Sequence, residues 1–238
     1  LVDLIEIEKK DIFVEIGPWT GNLTELIINR STSCTSIEID RNLVPLLEKR
    51  FKNIKGFKLI NRDILSFNIN TISEGEKSIR IAGNLPYNLS SPILEWSIKN
   101  INTIIDMHFM LQKEFAERCA GNENSKSYGK LSVICDYLFE VSILKDVDKS
   151  FFIPPPKVDS AFVRFKPKRK TFNEIEFVNL KKILNLLFNA KRKKIKKTLL
   201  SLFSEKDLES TGINLNLRPD ELNTASFIKL SKLIKNNG

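Results

Sequence analysis

No stretch of this 238-residue chain approaches the ~20 uncharged apolar residues of a membrane-spanning helix. No secretory leader pattern opens it, and it starts on Leu1 rather than methionine, so a preceding segment is expected. Cysteine is scarce. Cys34, Cys119 and Cys135 are an odd number at spacings that suit no metal site, which points to buried thiols in a reducing cytoplasm. Histidine is scarcer: His108 stands alone in the apolar run Met107-His-Phe-Met110, which predicts a structural residue rather than a general base. The full G-x-G-x-x-G of dinucleotide sites is missing, as is the G-x-x-x-x-G-K-[ST] loop that cradles ATP phosphates.

What is present is the balance of a soluble protein with a core, 42% hydrophobic and 28% charged, which excludes a wholly disordered or collagen-like chain. The length suits one large domain or a domain with a smaller appendage. The net charge of +9 is unevenly placed. Residues 166–238 hold 17 Lys/Arg against 7 Asp/Glu, whereas residues 1–165 hold 21 against 22. An excess confined to the last third suggests a polyanionic partner, most simply nucleic acid.

Apolar patterning predicts strands at 11–16, 35–39, 57–60, 78–82 and 104–110. It predicts helices at 22–30, 41–51, 91–98 and 129–138. Alternation of the two implies an α/β fold with a mostly parallel sheet covered on both faces. Beyond the charged, proline-broken Lys166-Pro-Lys-Arg-Lys170, only helices are predicted, at 177–187, 193–203 and 226–234. Two domains are therefore expected, residues 1–168 and 169–238.

Glu15-Ile-Gly17-Pro-Trp-Thr-Gly21 lies between the first strand and the first helix, where glycines allow close backbone approach and a helix start offers free N–H groups. Glu38 ends the second strand, placed to accept ribose hydroxyls. Asp63 follows the third, placed to accept from an adenine amino group. Together they favour an adenosine-bearing ligand; with dinucleotide and ATP disfavoured, S-adenosylmethionine remains. Asn84-Leu85-Pro86-Tyr87, after the fourth strand, matches the motif of enzymes that methylate exocyclic amines. Such a nitrogen is a poor nucleophile because its lone pair is delocalised into the ring. The Asn84 side-chain oxygen and the Leu85 carbonyl would draw on its protons and stabilise developing positive charge. Pro86 stiffens the backbone, and Tyr87 offers a face for an unstacked base. Phe152, just before Ile153-Pro-Pro-Pro156, is the candidate second aromatic wall. For RNA, Lys191-Arg192-Lys193-Lys194 and Lys196-Lys197 put six cations in seven residues, on a helix anchored by Ile195, Leu199 and Leu200. Lys157 and Arg164 are further candidates, and binding is expected to fall steeply with salt. No metal is implied.

Over essentially its whole length the chain resembles the KsgA-type small-subunit (16S) rRNA adenine N6,N6-dimethyltransferases, in their bacterial form. The resemblance is carried by Val14-Glu-Ile-Gly-Pro18, Ile37-Glu-Ile-Asp-Arg41, Gly83-Asn-Leu-Pro-Tyr-Asn88, Asp106-Met-His-Phe-Met-Leu-Gln-Lys-Glu114 and Phe152-Ile-Pro-Pro-Pro-Lys-Val-Asp-Ser-Ala161. Asn189-Ala-Lys-Arg-Lys-Lys-Ile-Lys-Lys-Thr-Leu199 is similar to the family's basic helix. It implies a class I, Rossmann-like methyltransferase with a small all-helical C-terminal domain. It also implies a monomer that moves four methyl groups from S-adenosylmethionine to two adjacent adenines in the 3′-terminal hairpin of the RNA. By position, Gly17, Glu38, Asp63 and Asn84 would hold the cofactor, and Asn84, Leu85, Tyr87 and Phe152 the base. Two departures stand out. The family's Gly-Gln-Asn-Phe-Leu segment, which closes over the cofactor, is absent here, which implies weaker cofactor binding. Trp19 replaces a usual glycine, and is expected to project outward with the turn intact. Two alternatives stay open: a large-subunit resistance methyltransferase sharing Asn-x-Pro-Tyr, and a non-catalytic ribosome-assembly factor.

Overall fold

The computed structural model describes residues 1–73, 75, 78–152, 154–168 and 172–234; Ile153, Arg169 and Lys170 of the motifs above lie outside the described residues. The chain forms two compact units, Leu1–Ala116 with Glu140–Pro167, and Glu117–Phe139 with Lys168–Gly238. One crossing falls at the expected boundary. The helical segment 117–139, expected in the first domain, instead belongs to the second unit.

The first unit is built on β1 (Ile12–Ile16), α1 (Asn22–Ile28), β2 (Ser33–Glu38), α2 (Val44–Phe51), β3 (Phe57–Asn61), β4 (Ile79–Asn84), α3 (Ser90–Lys99) and β5 (Ile104–Gln112). It is completed by β6 (Phe139–Val147) and β7 (Ser160–Pro167). Among the described residues the sheet has seven strands in the order β3-β2-β1-β4-β5-β7-β6. The first five pair in parallel and β7 runs antiparallel to β5. The chain winds outward from β1 to β3, then returns to place β4 on the other side of β1. That reversal opens a crevice beyond the carboxyl ends of β1 and β4. Parallel neighbours end at one edge, so Ile16, Glu38, Asn61 and Asn84 finish their strands side by side.

β1 is covered on both faces: Phe13, Val14, Glu15 and Ile16 are all buried, as expected for a central parallel strand. Burying each such large apolar side chain contributes about 1.5–3 kcal/mol. Asp11, Arg80, Asp106 and His108 are buried as well. Arg80 donates from Nε and NH2 to the two Asp106 oxygens at 2.8 Å each, and from NH1 to Asp11 Oδ2 at 2.6 Å. It also reaches the carbonyls of Ile5 (2.6 Å) and Glu6 (3.1 Å), pinning the first turn of the chain to the sheet. His108 is shut in beside this cluster, its Nδ1 unpartnered and 3.7 Å from Asp106. Burial pushes its pKa from 6.5 to about 4 against the pull of Asp106, so the ring is neutral and structural, as its apolar setting predicts.

The second unit contains α5 (Lys130–Leu138), α6 (Glu174–Phe188), α7 (Ile195–Leu199), α8 (Glu205–Ser210) and α9 (Thr224–Lys232); α4 spans Lys113–Cys119. The α6 start is capped by Asn173, which accepts from the Glu176 N–H at 3.1 Å. The same helix buries Phe177, Leu180, Ile183, Leu184 and Leu187 at helical spacing. Leu180, Ile183, Leu184 and Leu187 meet Ile195, Leu199, Leu208, Phe227 and Leu230 in one apolar cluster. Helix 193–203 was expected to be long. Only Ile195–Leu199 is helical, and Leu200, expected as an anchor, is 41% exposed. All three cysteines are buried free thiols, and no described helix is long and apolar enough to cross a membrane.

Candidate active site

The loop leaving β1 is held by three left-handed residues, Gly17 (φ 66), Trp19 (φ 56) and Gly21 (φ 87). The Gly17 N–H donates to the Ile37 carbonyl at 3.0 Å, and Gly21 N–H to the Pro18 carbonyl at 2.8 Å. A Cβ on Gly17 would meet nothing within 4 Å, leaving room for a ligand against the backbone. Gly21, expected to line the cofactor site, borders neither cavity described below. Glycine is required there by its φ and by the Phe51 ring, which a Cβ would approach to 2.5 Å. Glu15 lies under the loop, accepting from the Thr24 hydroxyl (2.6 Å) and the Ser36 hydroxyl (2.7 Å). Burial raises its pKa from 4.5 to about 6, with the Glu38 charge adding to the rise and the two hydroxyls opposing it.

A cavity of ≈ 340 Å³ opens at the switch point, with Ile16, Ile37 and Ile64 in its walls and Gly17, Glu38, Asp63 and Asn84 around it. Glu38 is buried and accepts the Trp19 N–H at Oε2 (3.3 Å) and the Asp40 N–H at Oε1 (2.9 Å). Two oxygens offer about four acceptor positions, so capacity remains for a diol. Asp63 caps a short turn by accepting the Leu65 N–H at 2.9 Å. A second cavity of ≈ 200 Å³ is more polar, with Glu15, Thr20, Asn22 and Asn84 among its lining residues. Apolar walls, two rim carboxylates and the open space over Gly17 fit an adenosine-bearing cofactor. The predicted acids thus come together at one crevice.

Asn84, the last residue of β4, stands opposite Met110 and is exposed. Its side-chain amide makes no hydrogen bond among the described residues, and it borders both cavities. Leu85 is buried, its N–H donating to the Met110 carbonyl at 3.4 Å, and Pro86 borders the larger cavity. Tyr87 is half-buried and lines neither cavity; its hydroxyl is 2.8 Å from that of buried Ser160, a partner that no local sequence signal indicates. Phe152 is half-buried and packs against the cluster containing Phe13 and Phe162. Its neighbour Phe151, not singled out by sequence, is 81% exposed.

Of the expected RNA contacts, Lys157 is exposed, whereas Arg164 sits within β7 opposite His108, half-buried, with its Nε closed off and unpartnered. Arg164 is therefore only partly open to solvent. In the second unit, Arg192, Lys193 and Lys194 lie exposed in the turn before α7, and Lys197 is exposed on α7. Lys191 donates to the Tyr128 carbonyl (3.1 Å) and Lys196 pairs with Glu205 (3.0 Å). An open groove is lined by Lys193, Lys194, Lys196 and Lys197.

A parallel sheet with its crevice at the β1/β4 reversal, acids ending β2 and following β3, and Asn-Leu-Pro-Tyr ending β4 defines a Rossmann-like methyltransferase acting on an amine. The profile of the family described as ribosomal RNA adenine dimethylase matches residues 1–236, and the chain belongs to that family. It is 37% identical over 228 residues to the ribosomal RNA small subunit methyltransferase A of Pseudomonas syringae pv. tomato, covering 95% of this chain and 85% of the relative. A dimethyladenosine transferase from Plasmodium falciparum superposes with a TM-score of 0.84 at 26% identity, covering 96% of this chain and 93% of that one. The 23S rRNA methyltransferase ErmE shares the fold, with a TM-score of 0.74 at 24% identity and 97% and 93% coverage.

Proposed function

We propose that this protein transfers methyl groups from S-adenosylmethionine to N6 of two adjacent adenines in the 3′-terminal hairpin of 16S rRNA, during small-subunit biogenesis. The observation that carries this reading is the position of Asn84, which ends β4 and borders both cavities beside Gly17, with Glu38 and Asp63 at the rim of the larger. Membership of an adenine dimethylase family and the names of its relatives favour the small subunit over the large. S-adenosylmethionine supplies a methyl on a positively charged sulfur, which leaves as a neutral thioether. Glu38 accepts the ribose hydroxyls and Asp63 the adenine amine, while Gly17 admits the ligand against the backbone. Glu15, under this loop, ties α1 at Thr24 to β2 at Ser36. The Asn84 oxygen and the Leu85 carbonyl accept the protons of the target amine and restore its lone pair for attack. Pro86 fixes their spacing; Tyr87, anchored at Ser160, and Phe152 present rings to the extruded base. The proton leaves to solvent after transfer, so no metal or enzyme nucleophile is needed.

The second unit binds the RNA backbone through Lys191, Arg192, Lys193, Lys194, Lys196 and Lys197, with Lys157 adding charge on the first unit. The protein works as a monomer in the cytoplasm, a reading supported by its ribosomal substrate and its free, buried thiols. The test is to incubate the full-length protein with small subunits from an unmethylated strain and labelled S-adenosylmethionine. N6,N6-dimethyladenosine at two neighbouring positions is the expected product. Label confined to naked large-subunit RNA, or no label, overturns the assignment.

A further inference from the structure

Among the described residues, Gly17, Trp19 and Asn84 border both cavities and so mark their junction. The larger cavity, with apolar walls and the carboxylates of Glu38 and Asp63, suits a nucleoside. The smaller, with Glu15, Thr20 and Asn22, suits a zwitterionic amino-acid end. S-adenosylmethionine carries its sulfur between those two ends, so a donor seated across both places the sulfur at the junction. Trp19 stands there 66% exposed. It also holds a left-handed backbone (φ 56) that favours glycine, while its N–H donates to Glu38. A bulky residue kept in a strained conformation at the meeting point of two cavities marks a position whose side chain has a task.

We infer that the Trp19 indole recognises the positive sulfur of the donor, so that the site favours the methyl-bearing sulfonium over the neutral thioether that remains after transfer. This rests on the reading of the crevice as the donor site. The electron-rich face of an indole attracts a cation and has no such attraction for a neutral sulfur, while the nucleoside and amino-acid contacts are common to both ligands. Four successive transfers require the spent thioether to be exchanged for fresh donor each time. A residue that weakens only the product's relative hold therefore bears directly on turnover.

The experiment is calorimetric titration of full-length wild type, Trp19→Leu, Trp19→Phe and Trp19→Gly with S-adenosylmethionine and, separately, S-adenosylhomocysteine. Trp19→Leu should raise the Kd of the sulfonium about three- to tenfold and leave that of the thioether within about twofold. Trp19→Phe should restore most of the difference. Trp19→Gly relieves the backbone, so its Tm should hold or rise while its preference for the sulfonium falls, which separates a lost contact from a lost fold. An unchanged ratio of the two Kd values in Trp19→Leu overturns the inference and leaves the donor-site reading intact. Failure of wild type to bind either ligand overturns both.

Discussion

Replacing Glu15 by glutamine separates the electrostatics of the β1 loop from its hydrogen bonding. The amide oxygen can still accept from Thr24 and Ser36, which lie 2.6 and 2.7 Å from the carboxylate in the wild type, but it cannot ionise. Burial raises the Glu15 pKa from 4.5 to about 6. The folded protein therefore binds this proton more tightly than the unfolded chain does. Stability from the group is fully present below pH 4.5 and is lost as pH rises through 6. The displacement corresponds to about 2 kcal/mol. Glutamine removes that loss, so the stability of Glu15→Gln relative to wild type should improve by about 2 kcal/mol between pH 4.5 and pH 7.5. For a chain of this size that is roughly 4–8 °C in Tm. Denaturant unfolding of both proteins by circular dichroism, without ligand, at half-unit pH steps reads the difference directly. Titrating groups not coupled to Glu15, His108 among them, cancel in the comparison. A difference that stays flat across the window, or that moves against the variant as pH rises, refutes the reasoning.

His108 has the opposite sign. With its pKa lowered from 6.5 to about 4, its contribution is present above pH 6.5 and lost as pH falls toward 4, on the order of 3 kcal/mol. His108→Gln should flatten that acid limb in the same unfolding series. Arg80→Met strands the carboxylates of Asp11 and Asp106 in the interior and should cost about 3–5 kcal/mol by urea midpoint. Arg80→Lys should recover only part, because an ammonium cannot span both Asp106 oxygens as a guanidinium does. Gly21→Ala should destabilise by about 1–3 kcal/mol from its left-handed backbone alone, and further from the Phe51 ring 2.5 Å from the new Cβ. Adding Phe51→Leu should return the steric part and leave the backbone part.

The sequence made the strand–turn–helix frame legible because β1 and β3 to β5 are short, largely apolar runs bounded by turn residues, and β2 carries β-branched Thr35 and Ile37 in the same setting. Parallel pairing then fixes where those strands end, so Gly17, Glu38, Asp63 and Asn84 could be assigned to one edge before any coordinates. β6 was not anticipated. Its burial alternates irregularly through Glu140, Lys145 and Asp146, the pattern of an edge strand rather than a core run. β7 begins at the end of a motif read for Phe152 and its prolines, and was not anticipated either. Contacts made across the fold left no local trace: Arg80 meets Asp11 across 69 residues and Tyr87 meets Ser160 across 73. The basic segment illustrates a different failure. Its composition suggested a long helix, yet the chain turns at 191–193 and again at 200–202, which leaves only Ile195–Leu199 helical. Trp19, conversely, was readable as an oddity whose backbone angle only the fold supplies.

Single-turnover methyl transfer by Asn84→Ala, with saturating S-adenosylmethionine and unmethylated small subunits, bears most directly on the chemistry assigned to the loop after β4. Removing one of the two acceptors facing the amine should slow transfer about 10²–10³-fold while rRNA binding persists. A variant that dimethylates both adenines at close to the wild-type rate contradicts the account.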